Sequence, residues 1–105
     1  MKKTGSSVKL SKSREAGMRD LTRAMAGAKD AAELREFMEG ILTPQERARI
    51  ALRWELTKML CRGVPQRKIG STLGISLCKI TRGSMELKRG PAGFAKTVER
   101  AMSRK

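Results

Sequence analysis

The run Gln66-Arg67-Lys68-Ile69-Gly70-Ser71-Thr72-Leu73-Gly74-Ile75-Ser76-Leu77-Cys78-Lys79-Ile80 holds two short helical patterns separated by a glycine. Ile69, Leu73, Ile75 and Ile80 fall where side chains turn inward, and Leu77 is expected to pack beside Ile80. Gly70 is small where two helices would cross, and Gly74 suits the positive φ of a tight turn. This is the spacing of a helix-turn-helix over about residues 65–88, with its second helix at about 77–85. Such a helix lies in a DNA major groove and reads base edges from its N-terminal turns. With Ile80 and Leu77 packed, Cys78, Lys79, Thr81 and Arg82 are left nearer the groove. Gln66, Arg67 and Lys68 at the start of the preceding helix, with Ser76 in the turn, complete the candidate DNA-binding set.

Outward from that run the chain reads as helix throughout. Before it, Thr43-Pro44-Gln45-Glu46 is a capping box with proline at the first helical position. Ile50, Leu52, Leu56, Met59 and Leu60 give that third helix its buried side, and Gly63 stops it. Asp30 can cap a second helix whose stripe is Leu34, Phe37, Met38 and Ile41. The outer face of that helix is acidic (Asp30, Glu33, Glu36, Glu39), so it should point away from any polyanion. Met18, Leu21 and Met25 mark a first helix from Ser13, and residues 1–12 read as a flexible basic arm. Beyond the run, Ser76 caps a fifth helix to about Lys88, Gly90-Pro91 breaks it, and Phe94, Val98, Ala101 and Met102 mark a sixth. No alternating strand pattern survives, so the expected fold is all-α. It has about six helices in one DNA-binding domain over 13–105, most simply a homodimer.

Composition narrows the function. The 105 residues carry 24 Lys and Arg against 10 Asp and Glu, a formal charge of +14 that asks for a polyanionic partner. Between Leu56 and Val98 stand Lys58, Arg62, Arg67, Lys68, Lys79, Arg82, Lys88, Arg89 and Lys96, against the single acid Glu86. Histidine is absent, and no acid, base or metal cluster is visible, so neither an enzyme nor a metal protein is expected. Three aromatic residues (Phe37, Trp54, Phe94) are too few for a single-strand stacking platform. Trp54 reads as a core or dimer contact, and Cys61 and Cys78 as small buried hydrophobes in a reducing, cytoplasmic protein. No stretch approaches the roughly 20 apolar residues that span a bilayer, so no membrane partner is expected.

The residues 42–91 resemble the trp operon repressor family. The resemblance rests on Leu42-Thr43-Pro44-Gln45-Glu46-Arg47, Arg62-Gly63, Gln66-Arg67, Leu73-Gly74 and Ile80-Thr81-Arg82-Gly83-Ser84 with Leu87-Lys88. Members of that family are themselves standard examples of helix-turn-helix docking. The resemblance implies an intertwined all-helical homodimer that represses transcription from a palindromic double-stranded operator, with L-tryptophan as corepressor. It places the indole between the guanidinium planes of Arg53 and Arg82, a cation–π sandwich, with the ligand carboxylate on Arg82. It also places Leu42 and Thr43 of the facing chain along the pocket, and Gly83 where the ring needs space.

Two departures bear on the ligand. Glu86 stands where the family has a serine near the ligand's amino group, and Gly40 where it has a larger apolar residue. A carboxylate can accept from an ammonium, but it can also pair with Arg82 or Arg53 and repel the ligand's carboxylate. Unaided by the resemblance, Arg53 reads as a surface charge and Arg82 as a phosphate contact. Two other functions therefore stand beside the repressor with a corepressor. One is an effector-independent helix-turn-helix regulator. The other is a basic architectural protein that binds the nucleic-acid backbone.

Overall fold

The computed structural model describes residues 7–103 of the chain, with side chains described from Lys12. Among these residues it has six helices and no strand: α1 (Ser7–Ala26), α2 (Ala31–Ile41), α3 (Pro44–Cys61), α4 (Gln66–Leu73), α5 (Leu77–Arg89) and α6 (Ala92–Ser103). The all-α expectation holds. The helix boundaries follow local chemistry, with one difference at the start. α1 begins at Ser7, inside the stretch read as an arm, because Lys, Ser and Leu propagate a helix without needing an apolar stripe. Residues 1–6 of the expected arm lie outside the described residues.

The chain divides into two compact units, 1–43 and 44–105, where the sequence suggested one domain from Ser13 onward. In the first unit, Asp30 caps α2 by accepting the Glu33 backbone N–H at 2.9 Å. Arg35 and Glu39 form an exposed ion pair one turn apart on the same helix, at 3.1 Å. Neither helix buries its stripe. α2 has no buried residue, Leu21, Met25, Leu34, Phe37 and Met38 are half-buried, and Met18 and Ile41 are 58% and 53% exposed.

The second unit holds the core. Leu56, Ile69 and Ile80 are buried together, with Met59, Leu60, Val64, Leu73 and Ile75 packed around them. Ile69 and Ile80 expose nothing, and each such burial stabilises by about 2–3 kcal/mol. α3 packs against α4, α5 and α6, and Val98 of α6 is buried.

Two glycine stops set the geometry. At the end of α3, Gly63 (φ 78°) donates to the Leu60 carbonyl and Val64 to the Met59 carbonyl, both at 3.0 Å. This is a Schellman cap whose apolar residues, Val64 and Met59, both reach the core. At the end of α4, Gly74 takes the left-handed conformation (φ 67°, ψ 36°) and donates to the Gly70 carbonyl at 2.8 Å.

Candidate nucleic-acid interface

Two helices and the turn between them, α4 and α5, build the candidate interface. Ser76 caps α5 by accepting the Lys79 N–H at 3.3 Å, which fixes where the first turn of that helix begins. Ile80 then points wholly into the core, and at about 100° per residue Gly83 and Leu87 follow it on the same side. Gly83 lets α5 approach α3 closely. A methyl group there would lie 3.2 Å from Leu56 Cδ2 and 3.3 Å from Leu60 Cδ1. Gly70 plays a related part in α4, where a methyl group would lie 3.3 Å from the Ile75 carbonyl oxygen.

The opposite side of α5 is open. Cys78, Lys79, Thr81 and Arg82 are all exposed, as are Gln66, Arg67 and Lys68 at the start of α4 and Ser76 between the helices. Two expectations are corrected here. Leu77 does not pack beside Ile80 but is 57% exposed, because Ile75, just before the cap, fills that part of the core. Cys61 and Cys78 are not buried but exposed. Cys78 stands two residues, and so more than half a turn, from Ile80, and Cys61 lies at the open end of α3.

The residues marked for an effector divide between the units. Leu42 and Thr43 close the first unit, whereas Arg53 on α3 and Arg82, Gly83 and Glu86 on α5 belong to the second. Arg53, Arg82 and Glu86 are exposed, and among the described residues none of the three side chains joins an ion pair or hydrogen bond. The Glu86 carboxylate lies toward Gly90, where an added methyl group would come within 2.7 Å of its Oε1. It leans toward the C-terminal end of α5. The neighbouring Thr57 is buried, and its hydroxyl donates to the Arg53 carbonyl oxygen at 2.8 Å.

Trp54 and Ile50 lie on the outer half of α3, 38% and 42% exposed, so the core does not claim the one tryptophan. Ile50 was expected on the buried side. It stands more than a turn before Leu56, beyond the reach of the cluster that α4 and α5 close.

A protein-family model described as Trp repressor protein matches residues 16–102. The chain belongs to the Trp repressor family. The match starts inside α1 and ends one residue short of the end of α6, so it takes in the helix-turn-helix and both units. A Trp operon repressor homolog from Actinobacillus succinogenes is 44% identical over 65 residues, 61% of this chain and 64% of that protein. The chain thus spans just under two thirds of that relative's length. In this Trp repressor family member no helix among the described residues is long and apolar enough to cross a membrane. No group of His, Cys, Asp or Glu among them could hold a metal ion.

Proposed function

We propose that this protein is a sequence-specific DNA-binding transcriptional repressor that acts as a homodimer, with L-tryptophan as its corepressor. One observation carries the reading. The capped first turns of α5 turn Ile80 fully into the core and leave Cys78, Lys79, Thr81 and Arg82 clear on the outer side. A helix held rigidly by one face with cations on the other is what a major groove accepts. Arg67 and Lys68 at the exposed start of α4 suit the flanking phosphates. Repression follows from occupying the operator, and no chemistry is required. Such a protein works on DNA in the cytoplasm.

The fit to tryptophan rests on Arg53 and Arg82, whose guanidinium groups have no partner among the described residues to compete with an indole. Arg82 also offers a charge-assisted contact to the ligand's carboxylate. A second reading, an effector-independent regulator, is favoured by Gly83 and Glu86. The side of Gly83 that looks at α3 is filled by Leu56 and Leu60, and Glu86 adds a negative charge close to where a carboxylate would bind.

One experiment separates these readings. Duplexes selected by the protein from a randomised pool, with and without L-tryptophan, are titrated against the wild type and Arg82→Ala. A repressor with a corepressor binds at least tenfold more tightly with tryptophan, and Arg82→Ala abolishes the difference. Equal affinity in both conditions establishes the effector-independent regulator. Failure to select any sequence leaves a backbone-binding architectural protein.

A further inference from the structure

The exposed leucine at the start of α5, Leu77, stands outside the core cluster of the described residues. Around that helix, at about 100° per residue, Leu77, Thr81 and Cys78 form one continuous strip that starts about 60° from Ile80 and runs round to the outer side. Leu77 is 57% exposed, and Cys78 and Thr81 are exposed beside it. The same helix carries the exposed cations Lys79, Arg82 and Lys88, and Glu86 is its only acid. In a chain of charge +14 that balance selects a polyanion over another protein. Leucine and cysteine side chains, however, gain little from a phosphate or from the polar edge of a base. The apolar feature that a polyanion offers a helix is the C5-methyl group of thymine in the DNA major groove. RNA lacks that methyl group, and its major groove is too deep and narrow to admit side chains.

We infer that Leu77, with Cys78 and Thr81, reads thymine methyl groups. Part of the sequence preference of this protein is then an apolar contact at the tip of α5, flanked by cationic contacts from Lys79 and Arg82. The inference rests on the DNA-binding reading above and adds to it the chemistry that the first turn recognises.

The test replaces thymine by uracil, one position at a time, in a duplex that the wild-type chain has selected. That change removes one methyl group and leaves every hydrogen-bonding edge intact. Wild type and Leu77→Ala are titrated against each duplex, with L-tryptophan present. The expected result is a loss of about fourfold for wild type at one or two positions per half-site, as for one buried methyl group. Leu77→Ala should lose nothing further at one of those positions. Far-ultraviolet circular dichroism confirms that the variant keeps its helices, and an exposed first-turn residue changed to alanine should keep them. If the wild type binds its selected site yet ignores uracil at every position, the inference falls and the helix-turn-helix reading stands. The same holds if Leu77→Ala responds to uracil just as wild type does. If no sequence is selected, both fall together.

Discussion

Ile80 and Leu77 are three residues apart in one helix, both aliphatic, and their surroundings could hardly differ more. Ile80 is sealed among Leu56, Ile69 and their neighbours, whereas Leu77 faces solvent. Ile80→Ala should therefore destabilise the fold by about 2–5 kcal/mol, the range for emptying a close-packed site. Leu77→Ala should move it by no more than about 0.5 kcal/mol. Urea unfolding followed by circular dichroism reads both, and equal losses would contradict the packing. Periodicity alone revealed Ile69, Leu73 and Ile80, because a buried face repeats every 3.6 residues. It misplaced Leu77, which sits in the first turn, where burial depends on which residue of the preceding turn reaches the core first, and here that residue is Ile75. Cys78 was misjudged by residue type alone, since its helical position already put it on the outer side. Arg53 and Glu86 lie beyond the reach of spacing altogether. Only the resemblance to known repressors singled them out, since the partner of an exposed charge is a property of three dimensions.

Among the elements, the turn between α4 and α5 sets the angle at which the outer face of α5 is presented. Gly74 bears most of that duty. A methyl group added there would meet nothing within 4 Å, so only its left-handed backbone objects to a side chain. Gly74→Ala should then cost about 1–2 kcal/mol through backbone strain alone. Gly74→Asn should recover much of the loss, because asparagine tolerates the same conformation. Thermal unfolding of the three proteins checks the order glycine, asparagine, alanine. A rank set by side-chain volume would point to crowding in its place. This turn and the caps at Asp30 and Ser76 were legible in the sequence, because each rests on hydrogen bonds to backbone only a few residues away. The start of α1 was not legible, since the serines and basic residues around Ser7 suit a helix and a solvated tail equally well.

For the molecule as a whole, charge and apolar exposure set a common requirement. Four apolar side chains are buried among the described residues, while Met18 and Ile41 are more than half exposed and Ile50 and Trp54 are 42% and 38% exposed. A chain this short with so small a core is marginal alone, and a second copy that covered those side chains would remove them from water. Two such chains together would carry +28, twice the +14 of one. Association must then be driven by apolar burial working against electrostatic repulsion, and the two respond differently to solution conditions. Sedimentation equilibrium at micromolar concentration should give twice the chain mass, and the unfolding midpoint should rise with protein concentration, as it does for a dimer that unfolds to monomers. Ile41→Glu, which lowers the net charge but replaces an apolar contact by a carboxylate that is costly to bury, should weaken the dimer and lower that midpoint. Raising salt from about 0.01 to 0.1 M shortens the screening length from about 30 to about 10 Å, so it should stabilise the free protein. If the protein binds DNA as proposed, the same salt should weaken that hold, because each phosphate contact releases a counterion on binding and salt opposes that release. Opposite signs for these two salt dependences, measured on one preparation, are what a +14 chain held together by apolar contacts and bound to DNA by charge requires. Matching signs would show that charge is not what opposes assembly.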